Sequence, residues 1–408
     1  MNIELFALML LIIFIFIGFF LLLYSWIQKS STLPKKRRKE NPTVSIIIPA
    51  RDESKVIRGL LDSIAIQSVK VLPENVYIVV ESKDDKTCEI VKEYGMNIVF
   101  REDLSKARKG YAIDDALKHL SSINKKYDMY FIFDADNILD KDFIKNMIVS
   151  YLDGYDIAVG YRNTKNGNDS VVAAASSLTF TMINTLFNKR KAKKNLGVTI
   201  SGTGFYISGE VIRKLDGYPF NTLTEDYELS VYSVLNNISS TYNEKAIFYD
   251  EQPIKYNVTK VQRTRWIRGY IDVRKKYHSL LKEKSKDAIN REMIAVERLG
   301  VIPFIIMVIG LFTFIFINIF MIGVNIVLEK SIIYNIIGII SLIIIVYTFL
   351  AVITFIMIKK EKEYFGLSKK MKIKAIFYNP IFLVSYIPCA IKALFSPNLG
   401  WKRIEHNK

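Results

Sequence analysis

An α/β domain held between one membrane helix at its start and two or three more near its end is the architecture this 408-residue sequence predicts. Three observations carry that reading. Residues Ile3 to Ile27 are almost wholly apolar, which meets the ~20 residues needed to cross a bilayer. Between Thr43 and about Lys260, short runs rich in β-branched residues alternate with helix-like stretches, the pattern of buried parallel strands. Beyond Val301 long apolar runs return.

Taken in order, the first segment is read as an anchor over residues 1–28. Met1-Asn2-Ile3-Glu4 lacks the basic start of a cleaved signal, and no small-residue cleavage site follows. The run Lys35, Lys36, Arg37, Arg38, Lys39 comes next; basic residues beside a span favour the cytoplasmic side and anionic headgroups. The N-terminus is then expected outside and the following domain, residues 40–260, in the cytosol. Val44 to Ile48, Val76 to Val80 and Asp128 to Phe133 read as buried strands, the last ending at an acidic cluster. Ligands in open α/β sheets sit at such strand ends. A basic amphipathic stretch covers 261–298, spans are expected within 299–396, and a basic tail closes 397–408. Val301 to Leu328 and Ile332 to Ile358 are each long enough to cross, joined by Glu329-Lys330-Ser331. Ala375 to Leu394 is apolar but carries Asn379, Pro380 and Pro388, a composition compatible with crossing, re-entering or lying in the interface. Two C-terminal crossings would leave Trp401-Lys402-Arg403 inside, and a third would put them outside.

The net charge of +17 is concentrated beside apolar stretches, which favours a membrane surface over nucleic acid as the partner. The two cysteines, Cys88 and Cys389, fall in different parts of the chain, and the three histidines have no zinc spacing. No disulfide is expected, the compartment is read as reducing, and any metal should be a hard cation on oxygen ligands.

Three clusters follow in fixed order: Asp134-Ala135-Asp136, Thr224-Glu225-Asp226 and Gln262-Arg263-Thr264-Arg265-Trp266. If the strand stays extended past Asp134, both Asp carboxylates share one face. Two carboxylates can hold Mg²⁺ or Mn²⁺ while substrate phosphates fill other positions. A solvated Asp-Asn loop explains the same residues. Thr224 reads as a helix cap with two acids on the helix dipole; alternatively Asp226 is a general base for an acceptor hydroxyl. Gln262, Arg265, Trp266 and Gly269 share a helix face. There Arg265 suits a diphosphate and Trp266 a sugar or acceptor chain, or else both lie on lipid headgroups.

The order Asp-x-Asp, Thr-Glu-Asp, Gln-x-x-Arg-Trp resembles the membrane-bound family 2 glycosyltransferases: cellulose, chitin and hyaluronan synthases and bacterial poly-N-acetylglucosamine synthases. The resemblance covers roughly Thr43 to Trp266 plus the flanking spans, and it implies a GT-A-type α/β domain. Pro49-Ala50-Arg51-Asp52-Glu53 is similar to the family's nucleotide loop, with Asp52 replacing the usual Asn. By the same resemblance Ala50, Glu53, Glu81 (where the family carries an Asp toward uracil, with Asp85 and Thr87 following), Lys109 of Lys109-Gly110, and Asp134 contact the nucleotide. Asp134 and Asp136 then hold the metal, and Gly202, Thr203 and Gly204 of Ser201-Gly202-Thr203-Gly204 line the acceptor. Asp226 and Glu225 are the catalytic acids, with Gln262, Arg265 and Trp266 beside the diphosphate and acceptor. Trp401-Lys402-Arg403-Ile404-Glu405-His406 resembles a tail of some bacterial members.

The implied reaction is inverting transfer from a UDP-sugar, UDP-N-acetylglucosamine or UDP-glucose, to a growing β-linked polysaccharide at the plasma membrane. One sugar added to a lipid is the rival enzyme, and a tethered nucleotide- or lipid-binding protein is the non-enzymatic one. With so few spans, oligomers or accessory subunits are compatible partners.

Overall fold

The computed structural model describes residues 3–30, 36–285, 291–361 and 366–396. Lys35 and the tail Trp401 to His406 lie outside them. Helix α1 (Ile3–Ile27) carries one acid, Glu4, and most of its large side chains are exposed. Then β1 (Val44–Pro49), α2 (Ile57–Ala65), β2 (Val76–Val80), α3 (Thr87–Glu93), β3 (Asn97–Phe100), α4 (Lys109–Ser122) and β4 (Met129–Ile132) alternate. The four strands run parallel in the order β3-β2-β1-β4. They read as unbroken apolar runs because both faces are covered. Ile46, Ile48, Ile78 and Phe131 join one core layer, while Ile47, Tyr77, Val79 and Ile132 join another with Ala112, Ile113 and Ala116 of α4.

The second half continues with β5 (Ile138–Leu139), α5 (Phe143–Leu152), β6 (Ile157–Thr164) and α6 (Val171–Met182). Helix α6 passes through a π-helical stretch, Ile183–Asn188, into α7 (Lys189–Lys193). Then come β7 (Phe205–Ser208), α8 (Gly209–Leu215), α9 (Glu225–Leu235) and β8 (Ser240–Asp250). The full order is β3-β2-β1-β4-β7-β6-β8-β5, with β7 antiparallel to both neighbours and β6 parallel to β8. Two reversals about β7 leave β1, β2, β4, β6 and β8 ending on one edge. Because β7 is antiparallel, its first residue, Phe205, pairs with Ile132 at the end of β4. The loop leading into β7 is thereby delivered to the acidic cluster that follows β4.

Beyond β8 come α10 (Tyr256–Lys284), α11 (Arg291–Leu299), α12 (Ile302–Val327), α13 (Ile333–Lys360), α14 (Lys369–Val384) and α15 (Tyr386–Leu394). Helix α10 runs unbroken through positions 260 and 261. Helices α1, α12 and α13 are long and apolar enough to cross a membrane, and so are Lys369–Leu394 and Val171–Lys193. The last of these is mostly buried in the α/β domain and was not recognised as apolar from the sequence. Between α12 and α13, Asn335 donates to Asn318 at 3.2 Å and Asn325 donates to Asn335 at 3.1 Å, so these buried amides satisfy one another. The ambiguous stretch at 375–394 breaks at Ser385, after Pro380, and packs back on the domain: α14 lies against α6 and α15 against α10. Arg263 makes that contact. It is 1% exposed, lies 4.3 Å from the Phe382 ring centroid and 4.7 Å from Tyr386, and donates to Ser385 Oγ at 2.7 Å. Its neighbours Gln262 and Arg265 face elsewhere.

The basic run after α1 differs from the expected lipid contact. Lys36 and Arg38 pair with Asp156 at 3.2 and 2.5 Å, and Lys39 pairs with Asp128 at 3.2 Å. The domain supplies acids to these side chains, while Lys36 and Lys39 stay in part exposed. Cys88 and Cys389 are both free thiols, as expected.

Candidate active site

The acidic cluster after β4 does not stay extended. Asn137 N–H donates to the Asp134 carbonyl at 3.1 Å, closing a turn through Ala135 and Asp136. The shared-face argument from strand geometry therefore does not apply; the turn sets the two carboxylates. Asn137 is fully buried, and its Nδ2 donates to Asp136 Oδ1 at 3.1 Å. Its Oδ1 accepts from Thr203 Oγ1 and from the Asp134 amide. Thr203 Oγ1 also accepts from the Asp134 amide at 2.8 Å. One amide side chain thus ties the acidic turn to the loop carrying Gly202 and Gly204. Those glycines have φ of +87° and +66°, and at Gly204 an added Cβ would lie 2.1 Å from the Phe248 ring. Lys109, at the start of α4, reaches across to the Asp134 carboxylate and to the Gly202 carbonyl at 2.8 Å.

At the neighbouring strand ends, Ala50 is buried after β1 and donates to the Val79 carbonyl at 2.8 Å. Asp52 has φ of +55°, a left-handed conformation that Asn and Asp tolerate best. The Asp52 amide donates to Asp85 Oδ2 at 2.7 Å and the Glu53 amide to Thr87 Oγ1 at 3.0 Å, so the start of α3 clamps the loop. Glu81 is flanked by Arg51 at 3.0 Å and Arg101 at 3.2 Å. Arg101 and Arg162 carry no spacing that announces them in the sequence, and Asn137, expected in a solvated Asp-Asn loop, is instead fully buried.

The second and third clusters meet at the start of α9. Thr224 precedes the helix without a capping hydrogen bond, and its buried Oγ1 has no partner. Gly269 of α10 explains why: an added Cβ there would lie 2.5 Å from Thr224 Cγ2, so α10 presses directly on the turn. Glu225 is buried and Asp226 half-buried. Burial, then the Asp226 charge, pushes the Glu225 carboxyl up, with Lys109 opposing. Burial likewise raises Asp226, against its neighbouring amide and the charges of Lys109 and Arg162. Arg265 has a buried Nε with no partner. Burial lowers its pKa while Glu225, Asp134 and Asp226 act to raise it. Trp266 meets Phe180 of α6 edge-on, with centroids 5.7 Å apart, and Gln262 lies one turn earlier, half-buried. All three clusters therefore share one electrostatic neighbourhood, with Lys109 and Arg265 as its cations.

Among the described residues, no three His, Cys, Asp or Glu side chains form a closed metal cage. Asp136, oriented by Asn137, fits a hard divalent cation that takes other ligands from a diphosphate and water, while Lys109 already pairs with Asp134 and competes for that carboxylate.

Comparison with known proteins agrees with this arrangement. The family model described as "Glycosyltransferase like family 2" matches residues 42–269, more than half of the chain. "Probable glycosyltransferase YdaM" of Bacillus subtilis (strain 168) is 28% identical over 252 residues, 58% of this chain and 58% of that protein. The chain thus matches less than two thirds of that relative's length. The mannosyltransferase PcManGT from Pyrobaculum calidifontis, solved in complex with GDP-Man and Mn²⁺, shares the fold. It superposes with a TM-score of 0.59 at 15% identity, covering 97% of this chain and 99% of that one.

Proposed function

The chain belongs to the glycosyltransferase-like family 2, and we propose that it transfers a sugar with inversion from a UDP-sugar to a saccharide acceptor at the plasma membrane. UDP-N-acetylglucosamine and UDP-glucose are the proposed donors, and a growing β-linked polysaccharide is the product. The observation that carries this is the convergence of Asp134, Glu225, Asp226, Lys109 and Arg265 at one strand edge. A binding module has no need of a carboxyl pair set against Lys109 and against Arg265, whose Nε is buried without a partner.

In this reading the base sits against Glu81, with Ala50 and Glu53 along the nucleotide. Asp134 and Lys109 meet the nucleotide near its diphosphate, and Asp136 and Asp134 hold Mg²⁺ or Mn²⁺. When bound, that cation neutralises charge on the departing diphosphate. Asp226 accepts the proton of the acceptor hydroxyl as its oxygen bonds to the anomeric carbon. The bond from that carbon to the diphosphate oxygen breaks on the opposite face. Arg265 donates to the oxygen that leaves, with Gln262 and Trp266 beside it. Gly202, Thr203 and Gly204 let the acceptor approach closely. The domain is placed in the cytosol, with α1, α12 and α13 crossing the membrane.

A second reading is one sugar added to a glycolipid; Arg263 packs against Phe382 and Tyr386 where α10 meets α14 and α15, which leaves those helices closed on the domain. The donor base has a rival too, because a carboxylate such as Glu81 can accept two N–H groups from guanine as readily as one from uracil. The test is incubation of the full-length protein with UDP-N-acetylglucosamine, UDP-glucose and GDP-mannose, followed by sizing of the product. Asp226→Asn should abolish transfer while the UDP dissociation constant moves less than twofold. Wild-type turnover by that variant would remove Asp226 as the base.

A further inference from the structure

Arg162 on β6 belongs to none of the three clusters, yet it joins their surroundings. It donates through Nε to Asp250 Oδ2 at 2.6 Å and through Nη1 to the Ser201 carbonyl at 2.7 Å. Its guanidinium lies 3.6 Å from the centroid of Phe180, the ring that meets Trp266. Its charge acts on Asp226, and that of Asp134 acts on Asp250. The Ser201 loop passes close to Asp226, with room at Gly202 for little more than a Cβ, which would lie 3.7 Å from Asp226 Oδ2. The π-helical stretch after α6 holds the Arg162 backbone, with Asn184 Nδ2 donating to its carbonyl at 2.9 Å. Widened helical turns of this kind recur at functional sites.

Asp250 and Gln252 are each 2% exposed, and Gln252 Nε2 donates to Asp250 Oδ2 at 2.8 Å. Two acceptor atoms nevertheless have no partner: Asp250 Oδ1 and Gln252 Oε1. Buried polar atoms are seldom left unpaired, and such a pair marks a place for a ligand or water that donates. Arg162 and Asp250 cancel in charge, so the cluster offers nothing to a second phosphate. Unpaired oxygens on Gln252 and on a carboxylate held by Arg162, whose guanidinium lies on the Phe180 ring next to Trp266, suit hydroxyls on a ring whose C–H face is apolar. A lone alcohol would need only Asp226.

We propose that Arg162, Asp250 and Gln252, with Phe180 and Trp266, form an acceptor subsite that holds a pyranose ring beside Asp226. The acceptor is therefore a glycoside and not a bare lipid alcohol. This rests on the transfer reaction proposed above.

The test measures binding without donor, by saturation-transfer NMR on the full-length protein in nanodiscs. The probes are methyl β-D-glucopyranoside, methyl N-acetyl-β-D-glucosaminide and dioctanoylglycerol. Wild type is expected to bind at least one of the glycosides. Asp250→Asn leaves one oxygen where Arg162 and the ligand need two, and it should weaken that binding at least fivefold. Gln252→Met keeps volume and the Arg162–Asp250 pair, so it answers should the first variant not fold. The UDP dissociation constant should shift less than twofold in both. Unchanged glycoside binding in both variants, or wild-type binding of dioctanoylglycerol alone, would overturn the subsite. Binding that depends on Asp250, with no transfer from any donor, would uphold the subsite and remove the transferase reading.

Discussion

Glu225 and Asp226 are adjacent carboxyls whose pKa values are both raised by burial. A base must be ionised, so transfer should fall as pH drops through the pair's titration, above the usual carboxylate value of about 4. Burial raises Asp226, whereas the Asp226 charge adds to the rise of Glu225, so Glu225 is still neutral while Asp226 titrates. Glu225→Gln should therefore leave the acidic limb of kcat/KM in place; a limb moved to lower pH would mean that Glu225 is charged there. The stability sign follows from the same shift. A carboxyl with a raised folded pKa contributes stability below its unfolded pKa and loses it as pH rises through the folded one. Thermal melts should therefore show Glu225→Gln gaining more over wild type at pH 8 than at pH 5. At this scale the sequence was legible where residue type and spacing coincide, as at Asp134, Asp226 and Arg265. It offered Asn137 only as part of a solvated loop, where the structure buries it, and it was silent on Arg162; their contacts come from partners 66 and 88 positions away.

Helix α10 shows how one element serves two surfaces. Its periodicity placed Gln262, Arg265, Trp266 and Gly269 together, and the contacts of Arg265, Trp266 and Gly269 agree with that face. Periodicity could not say that Gly269 bears on Thr224. Gly269→Ala should wedge α10 from the turn before Glu225, an overpacking cost of about 1–3 kcal/mol. Calorimetry should record a lower Tm, and transfer should drop at least tenfold with UDP affinity nearly kept. A variant with wild-type Tm and rate would mean the turn yields freely. The β strands were the most legible elements, since Val76 to Val80 is buried throughout. The condition that the chain stay extended past β4 is not met, because the hydrogen-bonded ladder stops at Ile132 and the Asn137 amide closes a turn on the Asp134 carbonyl.

In the whole molecule, α14 and α15 join the α/β domain to the apolar helices, and Arg263 is the fastener. Arg263→Lys keeps the charge but loses the planar stack on Phe382 and Tyr386, a loss of about 2 kcal/mol for a desolvated cation–π contact. Hydrogen exchange should quicken in α14 and α15 while nucleotide affinity holds; unchanged protection would make the contact incidental. The sequence by itself determined the α/β class, the apolar flanking helices and the three ordered clusters, because hydrophobic period and residue chemistry are local properties. Tertiary structure alone decided that Lys369–Leu394 packs on α6, α10 and α13, that Lys36, Arg38 and Lys39 pair with Asp156 and Asp128, and that Arg162, paired with Asp250, acts on Asp226. Those outcomes depend on which strand ends share an edge. The antiparallel β7, inserted between β4 and β6, sets that order, and no local pattern encodes it.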